Sequence, residues 1–381
     1  MKVRLIEKEE DFFSLREKWN NLLKKSNQNH FFLTWEWTYT WWKEMGDCSK
    51  LYILLVTDKD EIIGIAPLIV NYRKVFRLFK VKEINFLAQG EPVDSDYLNF
   101  IIYPTQEAKV ISLLVTYLKE NETFWDSINL TDILEDSINI SLFCEDLKKE
   151  GFWFSLDPAF KKGPFIVLPK LWETYLSSIG TKTRYNLRKF ERKLKKEYQL
   201  EFRKIEDKEL IEDNFNKFIK MHQKRWREKG KFNYFLMPSF NRFNLKVMNL
   251  ALGKGWLEFY ILLINEKEAG YLYGFNYGGK IYGYQSAMES TYVKYGIGML
   301  QISYWIKESI KRNLLEFYFL SGDEPHKHKF TKLEKKSIRI IVAKKDIKGR
   351  LINLEQGLSR LKSYLKKTLK KTFLNKLVKK S

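Results

Sequence analysis

The feature that most constrains the fold of this chain is a hairpin pattern that occurs twice. Residues 52–56 read YILLV and residues 260–264 read YILLI. Each run is followed by an acid–lysine–acid turn and by a second apolar strand with a glycine near its start, Gly64 or Gly270. Apolar, β-branched runs around a charged turn predict hairpins. Two copies are too few for a solenoid, so the repeat predicts two similar units side by side.

Strand and helix patterns alternate around both hairpins, which predicts an α+β fold with mixed sheets. The run 96–103 is among the predicted strands. A tryptophan-rich run after residue 34 is predicted as a helix, with Thr34 as its N-cap and Gly46 as its end. Its tryptophans are expected to line a core or a cleft.

The richest cluster of turn residues in the chain is the run 157–164, DPAFKKGP. We place the boundary between the two units there. The expected organisation is an N-terminal unit over residues 1–163, a C-terminal unit over residues 164–345 and a basic tail helix over residues 346–381.

Composition excludes several classes of protein. Hydrophobic residues make up 44% of the 381 residues, enough for a packed core and too many for a disordered chain. The two cysteines, Cys48 and Cys144, form no C-x-x-C motif, so neither a disulfide framework nor a cysteine zinc site is predicted. The sequence shows no signal-peptide pattern and no apolar run of membrane-spanning length. A reducing, cytoplasmic location is therefore expected.

The net charge of +21 is concentrated in two segments. Residues 327–381 carry +16, residues 180–204 carry +7, and the rest of the chain carries −2. In the tail, apolar residues recur along one helical face while lysines cover the others, at Leu361, Leu365, Leu369, Phe373 and Leu374. This pattern is typical of a helix that lies on anionic lipid, and it predicts peripheral association with the inner face of a membrane. A frayed tail or a helix packed on the body are the alternatives.

One local pattern predicts an anion site. A predicted strand ends near residue 295 and a helix begins with Gly296, Ile297, Gly298 and Met299. A helix N-terminus presents unpaired N–H groups and the positive end of a dipole, and glycines let the backbone approach an anion. The run is neither a Walker motif nor a dinucleotide fingerprint, because the required lysine and third glycine are missing. A plain turn is the alternative.

The order meander, strand, Gly-x-Gly, helix, strand resembles the GNAT acyltransferases. More narrowly, the chain resembles the acetyltransferase family associated with cellulose and exopolysaccharide biosynthesis, which is related to the FemAB-type peptidoglycan-bridge transferases. The resemblance covers roughly residues 10–345 and, because FemAB-type proteins carry two GNAT-like units, it implies two tandem GNAT-like units, in agreement with the repeated hairpin. It is carried by the runs FFLTWEW (31–37), DSDY (94–97), TRYNLRK (183–189), MHQKRW (221–226), YGIGML (295–300) and FLSGDEPHK (319–327).

The resemblance implies an N-acyltransferase with acyl-CoA, acetyl-CoA above all, as its co-substrate and with its pyrophosphate at residues 296–299. The implied acceptor is an amine on a sugar or another cell-envelope or polysaccharide precursor, either a small molecule or lipid-linked. Two departures affect the site: Val293 stands where Gln or Arg is usual, and His326 stands where an aromatic residue is usual. FemAB-type aminoacyl transfer from a charged tRNA is the rival enzyme activity, and otherwise nucleic acid is not an expected partner. A non-catalytic binding protein with a GNAT fold is the rival of a different class.

Acyl transfer to an amine requires a base, for which the candidates are Asp96, Glu289 and Asp323, each at or near a predicted strand end. A solvated or helix-capping carboxylate is the alternative for each. His222 shares a predicted helix with Arg225 and is a further catalytic candidate, with a structural histidine as the alternative.

Basic residues are the candidates for acceptor binding. Arg184 and Arg188 recur on one face of a predicted helix, where they could clamp a phosphate or carboxylate or simply be solvated. The resemblance adds Arg225 and Lys327 to this substrate-binding set. No metal is expected, because no cluster of ligands accompanies the two histidines beside Lys327.

Overall fold

A computed structural model describes residues 1–93, 95–322 and 324–378, and it leaves out the side chains of residues 159, 360, 363, 364 and 366–378. In the N-terminal half the strands are β1 (Lys2–Ile6), β2 (Lys50–Leu51), β3 (Ile53–Asp58), β4 (Glu61–Ala66), β5 (Leu68–Val75), β6 (Phe79–Phe86), β7 (Ile101–Ile102), β8 (Ser127–Leu134) and β9 (Trp153–Val167). The helices of this half are α1 (Glu9–Ser14), α2 (Arg16–Lys25), α3 (Trp35–Met45), α4 (Glu107–Glu120) and α5 (Ile138–Lys149).

The C-terminal half repeats the mixture of strands and helices. Its strands are β10 (Leu200–Lys204), β11 (Leu257–Ile264), β12 (Lys267–Tyr277), β13 (Lys280–Met288), β14 (Glu316–Tyr318) and β15 (Glu334–Ala343). Its helices are α6 (Trp172–Ser178), α7 (Thr181–Glu197), α8 (Lys208–Glu228), α9 (Pro238–Gly253), α10 (Ile297–Lys311) and α11 (Ile347–Val378). Single 3-10 turns occur at Phe31–Leu33, Glu122–Phe124, Tyr234–Leu236, Ser290–Tyr295 and Lys327–Lys329.

One long mixed sheet runs through both halves in the order β10-β11-β12-β13-β14-β9-β15-β8-β6-β5-β2. A smaller sheet has the order β1-β3-β4-β7. Among the described strands, only the pairs β13–β14 and β6–β8 are parallel. The two predicted hairpins are β3–β4 and β11–β12. The predicted α+β class with mixed sheets is therefore confirmed.

The prediction of a turn at residues 157–164 is wrong, because these residues belong to strand β9. β15 supplies the hydrogen-bonding partner: Lys161 pairs with Ser337, and Asp157 pairs with Arg339. Three residues of β9 separate these pairs and only one residue of β15 does, so Pro158 lies in a bulge, where proline is tolerated in a strand. A domain boundary at residue 163 stays a prediction.

The helix after Thr34 is confirmed as predicted. The Thr34 side chain accepts a hydrogen bond from the backbone N–H of Trp37, and the helix ends at Gly46. Trp35, Trp37 and Trp41 are buried. The predicted strand over residues 96–103 is mostly wrong, since only Ile101–Ile102 is extended and paired.

Aromatic contacts join the two halves on one face of the long sheet. Phe31 stacks on Phe275 with ring centroids 3.8 Å apart, and Trp37 contacts Tyr284 edge-on at 5.4 Å. Such pairs are worth about 0.5–1.5 kcal/mol each beyond the burial of their area. A second apolar cluster, which contains α10, α7 and α6, includes Leu272 from the opposite face of β12. The two faces of the C-terminal sheet therefore carry α8 on one side and α7 with α10 on the other.

The beginning of α11 packs on the body. Ile352 is fully buried against Val75 and Val81. Glu355 accepts a hydrogen bond from the backbone N–H of Phe76 at 2.8 Å and pairs with Arg73 at 2.6 Å. From Leu354 onwards the described leucines of this helix are exposed, namely Leu354, Leu358, Leu361 and Leu365. None of the described helices contains a stretch long and apolar enough to cross a bilayer.

Candidate active site at the junction of the two halves

Two neighbouring parallel strands of the C-terminal half, β13 and β14, separate after three paired residues. The two strands pair in parallel from Lys280 and Glu316 to Tyr282 and Tyr318, and β13 then continues to Met288 paired with β12 but no longer with β14. Where neighbouring strands diverge, backbone N–H and C=O groups lose their partners and can bind an extended ligand. We call this place the C-terminal fork.

The N-terminal half has an equivalent fork, which its own side chains fill. β6 and β8 pair in parallel only at Glu83–Ser127 and Ile84–Ile128. Beyond these pairs the Gln89 side chain accepts from the backbone N–H of Thr131 at 3.0 Å and donates to the Asn129 carbonyl at 3.0 Å. The N-terminal fork is therefore bridged by an amide.

The helices that follow the two forks also begin differently. α4 begins with Glu107, a negative charge that would repel an anion. α10 follows Gly296, which has a φ of +67°, and has no acidic residue in its first turn. The positive end of the helix dipole therefore favours an anion at α10 and not at α4.

The two predicted glycines of α10 also serve packing. A side chain at Gly296 would collide with the ring of Phe190 on α7, and one at Gly298 would meet the end of Met288. Ile297 is buried in the core, and Met299 is half-buried. Charge and backbone therefore suit a pyrophosphate at these four residues, but Phe190 and Met288 must shift to admit it.

Asp96 reaches the C-terminal fork from the N-terminal half. Its carboxylate accepts a hydrogen bond from the backbone N–H of Ser321 at 3.1 Å and another from the Ser321 hydroxyl. Ser321 lies three residues beyond the end of β14, and Asp96 is 3% exposed. A buried carboxylate of one half is thus fixed to the diverging strand of the other.

The loop that carries Asp96 is held from both sides. Trp37 Nε1 donates to Ser95 Oγ at 2.8 Å, and Ser95 Oγ donates to the Ala88 carbonyl at 2.7 Å. The Tyr284 hydroxyl of β13 donates to the Val93 carbonyl at 3.0 Å. These bonds fix the loop against α3 and against the C-terminal fork.

Lys327 closes the loop after β14. Its Nζ donates to the Ser321 carbonyl at 3.0 Å and pairs with Glu324 at 3.0 Å. Leu320 has a φ of +60° and Tyr97 a φ of +59°, a conformation that side chains rarely adopt. Such residues cost about 1–3 kcal/mol each and cluster at functional sites.

A group of cationic side chains at the end of α8 lies next to this loop. Burial lowers the pKa of Arg225. Burial also lowers the pKa of Lys229, and the charges of Arg225 and Lys231 lower it further. The pKa of His326 is lowered by burial and by the nearby charges of Lys327 and Lys229, against the opposing effect of Glu324. An anionic ligand here would relieve this mutual repulsion.

His222 lies in an aromatic stack on α8. Its ring is 5.7 Å from Phe218 and 5.4 Å from Trp226, both nearly parallel, and Phe235 contacts it edge-on at 4.8 Å. Burial lowers its pKa to about 4, so it is neutral at pH 7. This environment supports a structural role, and the catalytic role of His222 stays a prediction.

Glu289, another predicted base, binds Lys224 and the turn before α10. Its carboxylate accepts from Lys224 Nζ at 2.7 Å and from the backbone N–H of Ser290, and the Lys224 hydrogen bond lowers its pKa. It therefore caps the turn before α10. Asp323, the remaining predicted base, lies outside the described residues.

The structure separates the predicted acceptor-binding residues into two groups. Lys327 contacts Ser321, the partner of Asp96, and Arg225 lies beside Lys229, which is close to His326 in the same loop. Arg184 and Arg188 lie on α7, on the other face of the sheet, where Arg184 donates to the Leu176 carbonyl at 3.4 Å and Arg188 pairs with exposed Glu173 at 3.3 Å. Within the described part of the chain no group of three or more His, Cys, Asp or Glu is placed to hold a metal ion.

Sequence reasoning missed Ser321 and Lys229. Both lie in runs that carry the family resemblance or border on them, SGDEPHK and RWREKGK. Only the fold brings Ser321 to Asp96, since 225 positions separate them.

Comparisons with known proteins concern the family of the C-terminal half and the fold of the chain. Residues 181–328 match the family described as acetyltransferase (GNAT) domain. A search of curated protein sequences gives no match. The protein therefore carries a GNAT acetyltransferase domain and is an acyltransferase.

Similar solved structures span nearly the whole chain. FemX has a TM-score of 0.59 at 11% identity, covering 89% of this chain and 97% of its own. L-PGS from Bacillus licheniformis has a TM-score of 0.51 at 10% identity, covering 89% and 96%. The C-terminal domain (DUF2156) of a lysylphosphatidylglycerol synthetase from Agrobacterium fabrum has a TM-score of 0.53 at 7% identity, covering 90% and 95%. At these identities the likeness concerns the fold, and the predicted arrangement of two tandem GNAT-like units is confirmed.

Proposed function

We propose that this acyltransferase moves an acyl group, in the simplest case acetyl, from acyl-CoA to an amine of a sugar or cell-envelope precursor at the junction of its two halves. The observation that carries the proposal is the pair formed by Asp96 and Ser321 at the C-terminal fork. It supports a site in which one half supplies the carboxylate and the other supplies the strand that binds the donor.

The chemistry requires two things of the protein. The attacking amine must lose a proton, and Asp96 can accept it directly or through the Ser321 hydroxyl. The carbonyl oxygen of the thioester gains negative charge, which backbone N–H groups of β13 beyond Tyr282 can stabilise. Bound acyl-CoA supplies the activated thioester. The new bond is an amide, and the leaving thiolate takes up a proton to give CoA.

The cationic group at the end of α8 supports an acceptor that bears a phosphate or carboxylate. Arg225, Lys229 and His326 lie near one another: besides burial, the charge of Arg225 lowers the pKa of Lys229, and the charge of Lys229 lowers the pKa of His326. A guanidinium matches two oxygens of such a group at once. A sugar nucleotide or a lipid-linked sugar phosphate has this chemistry. Arg184 and Arg188 lie on α7, which packs against α10 through Phe190 and Glu191, so we assign them to the donor side.

Aminoacyl transfer from a charged tRNA is the second candidate function. Phe190 covers Gly296 at the start of α10, where the pyrophosphate of acyl-CoA is expected. The outer face of α7 is basic, with a net charge of +6 over residues 181–197, and would suit RNA phosphates. Cellulose or exopolysaccharide biosynthesis as the pathway remains a proposal drawn from the sequence resemblance.

We also propose that α11 holds the enzyme at the inner, cytoplasmic face of an anionic membrane. Its exposed leucines and the lysines around them support this, since like charges on both sides of the apolar face oppose pairing with a second copy. The chain ended after Gln356 keeps Ile352 and Glu355 and should stay folded while losing most vesicle binding. Ending the chain before Leu351 would also remove these packed residues.

The main test is the identity of the donor. Purified protein is analysed by mass spectrometry for copurified CoA and for RNA, and is then incubated with acetyl-CoA and a panel of amino sugars and sugar nucleotides while free thiol is measured. Copurified CoA and acceptor-dependent thiol release support acyl transfer from CoA. Copurified tRNA without thiol release supports the second candidate and contradicts the first.

A further inference from the structure

The tip of the β5–β6 hairpin has an unusual composition for a turn. Residues 72–82 read YRKVFRLFKVK, with five basic residues and no acidic one. Phe76 and Arg77 have φ values of +49° and +63°, and Leu78 and Phe79 are 76% and 47% exposed. Turns of this kind normally use Gly, Asn or Asp, which tolerate positive φ. Large apolar residues at such a tip are costly in water unless another surface covers them.

Strand register concentrates positive charge on one face of this hairpin. Lys74 lies directly opposite Lys80, and Tyr72 lies directly opposite Lys82. All four side chains share that face, and Lys80 Nζ is 5.1 Å from the centre of the Tyr72 ring. Like charges directly opposite each other destabilise a sheet. An anionic surface against this face would offset the repulsion.

The other face of the hairpin is fixed to α11. Arg73 pairs with Glu355 at 2.6 Å, and Val75 packs with Ile352. At 100° per residue, Leu354, Leu358 and Leu361 point away from Ile352. The exposed leucines of α11 therefore lie on the side away from the hairpin, and the basic face of the hairpin lies on the side away from α11.

We propose that the β5–β6 tip docks on an anionic lipid bilayer, with Leu78 and Phe79 at the level of the headgroups and Lys74, Arg77 and Lys80 against the phosphates. The proposal is independent of the acyl-transfer chemistry and of the membrane association proposed for α11, whose exposed leucines point away from the hairpin. A bilayer is favoured over a nucleic acid because the most exposed side chain of the tip is an aliphatic leucine. Nucleic-acid surfaces use flat rings on which bases stack, and leucine offers none.

The test uses the full-length chain and two sets of vesicles, phosphatidylcholine alone and phosphatidylcholine with about 30% phosphatidylglycerol. The variant Leu78→Ser with Phe79→Ser is expected to bind the anionic vesicles at least about tenfold more weakly, because it loses two apolar side chains at the interface. Lys74→Gln with Lys80→Gln keeps the apolar tip and should lose about fivefold per lysine. Phe124→Ser removes a side chain of similar exposure, 60%, from another part of the surface and should change nothing.

The possible outcomes separate the claims. Unchanged binding of both tip variants, with binding lost when the chain ends after Gln356, would show that α11 acts alone and would overturn the proposal. Weaker binding of a tip variant to a single-stranded RNA homopolymer, with vesicle binding unchanged, would make the tip a nucleic-acid surface and would also overturn it. Circular dichroism checks that each variant is folded. Thiol release with a soluble acceptor should be the same in all tip variants as in the wild type. If the wild type itself releases no thiol, that result contradicts the proposed acyl transfer and leaves the membrane-docking proposal for the tip unaffected.

Discussion

The two forks of this protein start from the same strand arrangement and end in different surroundings. In the N-terminal half, Gln89 bridges the separated strands, and the following helix begins with Glu107. In the C-terminal half, the separated strands meet Asp96 from the other half, and the following helix begins after Gly296. From this difference we infer that the N-terminal unit serves as a scaffold, whose fork is closed by amides. The other unit keeps a fork suited to chemistry, and the scaffold supplies its carboxylate.

The largest expected effect is on kcat, when Asp96 of the C-terminal fork is substituted and Gln89 of the N-terminal fork serves as the comparison. Asp96→Asn keeps the shape of the side chain but removes the proton acceptor, so kcat should fall about 10²–10⁴-fold. Gln89→Ala should leave kcat unchanged and lower the free energy of unfolding by about 1–3 kcal/mol, because buried backbone groups lose their partner. Thiol-release kinetics and urea unfolding of both variants measure this. Equal activity of Asp96→Asn and wild type would contradict the assignment of the forks.

Two buried histidines of the junction region, His222 and His30, should make the stability of the protein depend on pH. Burial lowers the pKa of His222 to about 4, and burial followed by the charges of Lys280 and Lys335 lowers that of His30 to about 3. In the unfolded chain both have a pKa near 6.5, so the unfolded state binds more protons between these values. Stability is therefore complete above pH 6.5 and is lost as the pH falls towards 4.

For His222 this loss should amount to about 3 kcal/mol by pH 4. Urea unfolding from pH 7.5 to 4.5 follows it, and His222→Phe should flatten part of the slope while keeping the aromatic stack. A wild type whose free energy of unfolding does not fall over this range would show that the histidines are not buried as neutral groups.

Helices and hairpins could be predicted where neighbouring residues determine them. Strand pairing and side-chain contacts between residues far apart in the sequence could not. Thr34 and Gly46 mark the ends of α3 because capping is a property of neighbouring residues. The run 157–164 contains the turn formers of a loop, yet β15, far along the chain, pairs with it and makes it a strand. Asp96 was recognisable from its motif, but its contact with Ser321 depends on how the two halves pack.

A smaller effect should separate the acceptor side from the donor side of the C-terminal fork. Arg225→Ala is expected to raise the acceptor KM by the equivalent of about 1.5–3 kcal/mol, with CoA affinity unchanged, because a charged hydrogen bond is lost. Arg227→Ala, an exposed arginine on the same helix, is the matched control and should leave KM unchanged. If Arg225→Ala instead loses CoA binding and keeps the acceptor KM, Arg225 lies on the donor side and the assignment of the acceptor and donor sides is wrong.

The smallest expected effect concerns the start of α10. Gly298→Ala adds a methyl group towards the flexible end of Met288 and should leave CoA affinity nearly unchanged. Gly298→Asp adds a negative charge at the same position and should weaken CoA binding on the order of tenfold. Calorimetry measures the CoA affinity of the two folded variants and shows whether the negative charge weakens binding. Equal affinities would remove the donor from this helix and favour the tRNA candidate.

Hydrogen–deuterium exchange with and without acetyl-CoA tests the central claim most directly, because it reports on both forks of the same molecule at once. Backbone amides whose ligand bonds form on binding exchange more slowly. The account predicts slower exchange in residues 283–288 and 319–327 of the C-terminal fork and no change in residues 85–89 and 129–131 of the N-terminal fork. Slower exchange at the N-terminal fork, or no change at either fork while acetyl-CoA is bound, would contradict it.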